Sequence, residues 1–130
     1  MKKGDTFRQD FVVSESTYRG FKNIFKDTNL LHTDCSYAQR YGFRQEVMYG
    51  NILGGFLSYF VGNCLPIKNV VLHSQEIKFT KPVYLNDFLE LITEIEGIFE
   101  SVNAIEFKFS FRNRQKIEVA RGKIQIGILR

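Results

Sequence analysis

His32 is the residue with the clearest chemical opportunity. It stands in the polar run Asp27-Thr28-Asn29-Leu30-Leu31-His32-Thr33-Asp34, with Asp27 five residues before it, Asn29 three before it and Asp34 two after. An acid and an imidazole on one short loop can converge on a single small ligand or water, the minimum equipment for general acid–base catalysis. Alone the pattern is weak, because Asp, Asn and His are also ordinary loop residues. The chain's second histidine, His73, falls mid-strand on a face with Val71 and Ile77. A partly buried strand histidine with a local hydrogen bond is its expected role. Cys35 and Cys64 lie outside any CxxC or CxxH pattern, so no metal site is expected. Both are expected to be free thiols in a reducing cytoplasm, Cys64 as a small core residue.

The elements that must position His32 follow from periodicity. Residues 10–13 read as a short opening strand. Ser14 suits an N-cap and Glu15 the first turn, and Tyr18, Phe21, Ile24 and Phe25 recur at helical spacing, so a helix is expected over 15–26. Residues 27–35 read as a loop. A brief helical piece starts at Ser36 and closes at Gly42. Residues 47–64 carry no charge and have apolar or small residues on every side, the pattern of a helix buried all round. Gly50, Gly54 and Gly55 cost such a helix about 1 kcal/mol each against alanine, which implies close approach of a backbone or ligand.

After Pro66 the period changes to two. Residues 70–79, 89–96, 105–112 and 117–128 read as four long antiparallel strands. The last switches parity, with a bulge expected at Gly122, and Asn113–Gln115 reads as a tight hairpin connection. The expected fold class is α+β: one antiparallel sheet wrapped around one long central helix, a single domain over residues 1–130.

Composition sets the outer limits. The chain has 130 residues, 44% hydrophobic and 25% charged, which is ordinary globular usage. Thirteen Phe and six Tyr supply enough aromatic volume for a large core or tunnel. A net charge of +4 is too modest to indicate nucleic acid, and the aromatics alternate with strand period as core residues do. No run reaches the roughly 18 apolar residues of a membrane helix, and MKKGDTFRQD has no apolar run of the secretory-leader kind. A cytoplasmic protein without membrane partners is the expectation.

The loop also belongs to a larger pattern. Phe25–Asp34 resembles the hydratase signature D-x-N-P-x-H-x-D of the MaoC-like family, the (R)-specific enoyl-thioester hydratases. Further on, Tyr37-Ala38 with Tyr41-Gly42-Phe43 resembles the family's "yA…gf" spacer. Val47-Met48-Tyr49-Gly50 resembles its "v-x-H-G" opening of the central helix, and Phe79–Asp87 its "F-x-x-P-V-x-x-G-D" turn. Gly4-Asp5-Thr6-Phe7 is similar to its "GD-x-f" start. Five motifs in register over nearly the whole chain are fairly specific. Three positions depart: Leu30 for Pro, Tyr49 for His, and Asn86 for Gly, which calls for a left-handed Asn.

The resemblance implies a hot-dog fold, usually a homodimer, and reversible addition of water to a trans-2-enoyl thioester giving an (R)-3-hydroxyacyl thioester. It implies Asp27 and His32 as the catalytic pair on one water, Asn29 orienting His32 or shaping the loop, and the Gly50 amide donating to the thioester carbonyl. Ser58 falls where the family often places a helix serine; it would support the loop or the thioester, or simply bond a preceding helix carbonyl. Tyr49 takes the place of the missing imidazole on the substrate side. Which of Asp27 and His32 takes the first proton stays open. No cofactor or metal is implied, since the acyl group arrives on coenzyme A or an acyl carrier protein. Lys22, Lys26, Lys68, Lys78 and Lys81 are available to their phosphates or acidic surface, although most serve as solvated surface. Two alternatives share the fold. One is an acyl thioesterase, disfavoured because residues 47–64 hold no carboxylate. The other is a non-catalytic acyl-thioester-binding subunit, kept open by Tyr49.

Overall fold

Alternation of apolar and polar side chains builds the sheet. The computed structural model describes residues 1–130. Its strands are β1 (Thr6–Val12), β2 (Val70–Phe79), β3 (Phe88–Phe99), β4 (Ala104–Arg112) and β5 (Glu118–Ile128). They form one sheet in the order β1-β3-β4-β5-β2, and every neighbouring pair is antiparallel. On β3, Leu89, Leu91, Thr93 and Ile95 are buried while Glu90, Glu94 and Glu96 take the other face. On β4, Phe107, Phe109 and Phe111 are buried and Lys108 and Arg112 exposed.

The buried face covers the central helix α4 (Asn51–Asn63), and Leu53, Leu57, Phe60 and Val61 join the strand residues in one core. Each such side chain contributes about 1.5–3 kcal/mol by leaving water. Before α4 come α1 (Glu15–Phe25), the single turn α2 (Leu30–Thr33) and α3 (Cys35–Arg40). Ser14 caps α1 by accepting the Thr17 N–H at 3.1 Å, and Lys26 ends it in the left-handed region at φ 57°. The αL conformation foreseen for Asn86 is present, with φ 68°.

Several expectations need correction. The opening strand starts earlier, at Thr6; its polar residues alternate around Phe7 and Phe11, too thin a signal to read. Residues 27–35, expected to be all loop, hold α2. The following helix starts at Cys35 rather than Ser36, because Asp34 caps it. Only part of residues 47–64 is helical: Met48 and Tyr49 are buried before the helix starts, and Asn51, Gly55, Ser58 and Tyr59 of α4 are exposed, so it is not buried all round. The parity switch of β5 sits at Val119, where Phe111 pairs with Ala120 and Arg112 with Glu118. Gly122 is instead in register, and a Cβ there would meet the Glu76 carbonyl oxygen at 1.8 Å. His73 is exposed rather than half-buried, because β2 is an edge strand and a register shift falls between Leu72 and Ser74; the ring bonds Gln125 at 3.2 Å. No helix is long and apolar enough to cross a membrane.

Candidate active site

The segment from Asp27 to Thr33 organises itself through side-chain caps. The Asp27 carboxylate accepts the Asn29 N–H at 3.0 Å, and the Asn29 side-chain oxygen accepts the Leu31 N–H at 2.9 Å. The Asn29 carbonyl takes the His32 N–H at 3.0 Å and the Thr33 hydroxyl at 3.2 Å. Asn29 therefore shapes the loop as the N-cap of α2. Leu30, where the family motif has Pro, takes the first helical position, whose N–H has no helical partner in any case. Asp34 serves α3, accepting the Tyr37 N–H at 3.0 Å.

His32 is tied to the segment that leads into α4. Its Nδ1 lies 2.7 Å from the Val47 carbonyl oxygen, and the Val47 N–H returns to the Leu31 carbonyl at 3.0 Å. A carbonyl only accepts, so Nδ1 carries a hydrogen, and in the neutral form of the ring the lone pair falls on Nε2. The half-buried imidazole lines a cavity of about 430 Å³ with Phe43, Met48, Tyr49, Gly50 and Phe79. The Gly50 carbonyl accepts the Leu53 N–H at 3.0 Å, but its own N–H has no acceptor within the chain. A Cβ on Gly50 would come within 2.8 Å of the Phe79 ring, so glycine lets that ring close over the helix start.

Tyr49 fills the middle. It is only 3% exposed. Its ring packs against His32 at 4.3 Å, Phe21 at 4.6 Å and Tyr18 at 5.8 Å. Its hydroxyl donates to the Asp27 main-chain carbonyl. The Tyr18 hydroxyl donates to the His32 carbonyl at 2.9 Å. Burial, first, and then the nearby Tyr18 and Asp27 charges push the Tyr49 hydroxyl above its ordinary 10.0. Burial, followed by Glu46 and Glu15, does the same to Tyr18. Both stay protonated donors at neutral pH.

The structure brings His32, Tyr49 and Gly50 to one cavity. Asp27 stands apart from it. The Asp27 and His32 side chains share no hydrogen bond, and Asp27 lines a separate open groove of about 840 Å³ between α1 and α4, among Phe21, Phe25, Asn51 and Phe56. Ser58 lies on the exposed side of α4, lines neither space and bonds no preceding carbonyl. Among the lysines, Lys81 lines the His32 cavity, whereas Lys68 caps the end of α4 through the Asn63 and Leu65 carbonyls. Tyr18, Val47 and Phe79 were not foreseen as site residues. Val47 and Phe79 open two of the family motifs, but the roles of all three were hidden because each acts through a partner 14 or more residues away.

The MaoC like domain model matches residues 2–116. The chain belongs to the MaoC-like family. An (R)-specific enoyl-CoA hydratase from Rhodospirillum rubrum is 27% identical over 108 residues, 83% of this chain and 75% of that one. A mitochondrial 3-hydroxyacyl-[acyl-carrier-protein] dehydratase from Arabidopsis thaliana is 26% identical over 126 residues, 95% and 75% of the two chains. By name these relatives are hydro-lyases. The (R)-hydratase structure from A. caviae superimposes with a TM-score of 0.89 at 20% identity, covering 98% of this chain and 97% of that one. The unliganded R-hydratase PhaJ1 of Pseudomonas aeruginosa gives 0.88 at 22% identity, covering 99% and 83%. The sheet wrapped on α4 is the hot-dog fold of this MaoC-like family.

Proposed function

We propose that this MaoC-like chain interconverts a trans-2-enoyl thioester and an (R)-3-hydroxyacyl thioester by adding or removing water. The observation that carries the reading is one cavity lined by both His32, whose Nδ1 is taken by Val47, and Gly50, whose N–H has no partner in the chain. In the hydration direction the water oxygen bonds to the β carbon and gives up a proton. The carbon–carbon π pair moves toward the thioester oxygen, and a proton then reaches the α carbon. The Gly50 amide, at the N-terminal end of α4, meets the charge that develops on that oxygen. His32 supplies one proton-transfer position inside the cavity, and Asp27, the second, must reach that cavity from its separate groove when the substrate binds. No prosthetic group takes part. The acyl group is carried by coenzyme A or an acyl carrier protein, the protein works in the cytoplasm, and two copies assemble.

The test is loss of enoyl absorbance on crotonyl-CoA and on longer enoyl thioesters of both carriers. Asp27→Asn and His32→Ala are each expected to lower kcat by about 10²–10⁴-fold while the thermal melt stays near wild type. Unchanged turnover in both variants overturns the reading. A second reading, a non-catalytic acyl-thioester-binding subunit, is favoured by one observation: Tyr49 occupies the position where the family motif has a histidine. It predicts tight enoyl-thioester binding with no turnover.

A further inference from the structure

α2 is a single turn of four residues, too short to hold its own geometry. Asp27, Asn29 and Leu30 around it are exposed. Two main-chain carbonyls of this segment, those of Asp27 and His32, are left over by the local caps and are taken by two tyrosines from outside it. Tyr18 reaches in from α1 and Tyr49 from the residue before Gly50. The two rings stack with an interplanar angle of 24°, so the hydroxyls are fixed relative to one another. The same Tyr49 ring backs the His32 imidazole at 4.3 Å.

We propose that Tyr49, with Tyr18, is a positioning residue: a two-hydroxyl clamp that grips the ends of the Asp27–His32 segment while the Tyr49 ring sets the plane of the imidazole. This rests on the hydratase reading for its effect on rate, but the clamp itself is a statement about the loop. A fixed loop matters because a displacement of about 1 Å in a reacting group can cost a hundredfold in rate. Tyr49 touches no reacting atom in this scheme. It acts through Asp27 and His32.

Two measurements on Tyr49→Phe test it. Amide hydrogen exchange over residues 27–33 is expected to quicken about tenfold, with the amides of β3, β4 and β5 unchanged. On an enoyl thioester, kcat is expected to fall about tenfold with KM within twofold of wild type. The pH profile should keep its shape, because Asp27 and His32 are both present. Replacing Tyr49 with 4-aminophenylalanine, which keeps a donor at the ring's tip, should restore both readouts. Tyr18→Phe should reproduce the exchange effect at the His32 end. Wild-type exchange and kcat in Tyr49→Phe overturn the proposal, and so does faster exchange spread evenly over the sheet. If the wild-type protein turns over no thioester, the hydratase reading alone fails, and the exchange measurement still decides the clamp.

Discussion

Val47 gives up its carbonyl to His32 Nδ1 at 2.7 Å, and that single bond decides which tautomer the neutral imidazole adopts. The neighbouring Gly50 works by lacking a side chain. Its Cβ would press on the Phe79 ring at 2.8 Å, but that ring is 50% exposed and can swing out. Gly50→Ala should therefore cost less than about 1 kcal/mol of stability. It should nevertheless raise KM several-fold by displacing the ring at the cavity mouth. Gly50→Ala combined with Phe79→Ala should be less than additive in KM, and strict additivity in the double-mutant cycle would remove Phe79 from the site. The tyrosines make a separate prediction. Tyr49 and Tyr18 hold their protons more tightly in the folded chain than in the unfolded one. Their contribution is thus whole below pH 10.0, the unfolded value, and is lost as pH rises through the raised folded value. Lys108 and Lys123, raised chiefly by the hydrogen bonds they donate to Glu94 and Glu96, act in the same direction above 10.5. The urea midpoint should fall as pH climbs past about 10, and less steeply in Tyr49→Phe.

At the scale of elements, legibility followed locality. Ser14 capping α1, the alternation of β3 and β4 and the left-handed Asn86 all rest on residues a few positions apart, and all were readable. The single turn α2 was not, because its cap, Asn29, looks like any loop residue until the Leu31 N–H is seen to reach it. The exposed side of α4 was hidden for the opposite reason: apolar composition says that a surface wants cover, and it cannot say whose. The motif residues of the loop were legible, but their distribution over two cavities was not, since Tyr49 divides them through contacts 17 and 22 positions away. Glycines sharpen the same point. Gly122 looked like a bulge residue, but it is there because β2 passes so close that a Cβ would overlap the Glu76 carbonyl. Gly122→Ala should destabilise by about 2–3 kcal/mol, read as a lower urea midpoint at unchanged slope. Gly20, inside α1 with open space where a Cβ would go, is the control. Gly20→Ala should stabilise by about 1 kcal/mol, and a loss there would contradict the open space beside it.

The whole molecule has one wet side and one unfinished side. On the outer face of the sheet, Arg8 pairs with Glu90, Lys108 with Glu94, and Lys123 with Glu96 and Glu106, a lattice of charge suited to solvent. Across the molecule, β2 is an edge strand, with Val71 at 42% and Leu72 at 36% exposure, and Tyr59 of α4 is 50% exposed. Over residues 70–75, before its Glu76 and Lys78, this ten-residue edge strand carries no Asp, Glu, Lys, Arg or Pro to blunt it and is a template for another strand. Antiparallel pairing of β2 with its copy would cover that edge and set the open faces of two α4 helices near each other. The expected outcome in sedimentation equilibrium is twice the 15.2 kDa of one chain. Leu72→Lys places a charge on the apolar start of that edge and should shift the mass toward one chain at micromolar concentration. Because the Asp27 groove includes Gln75 of β2, turnover should fall with the dimer. A Leu72→Lys protein that is monomeric and fully active would show that one chain holds the complete site, whereas a persistent dimer would show that β2 is not the joining edge.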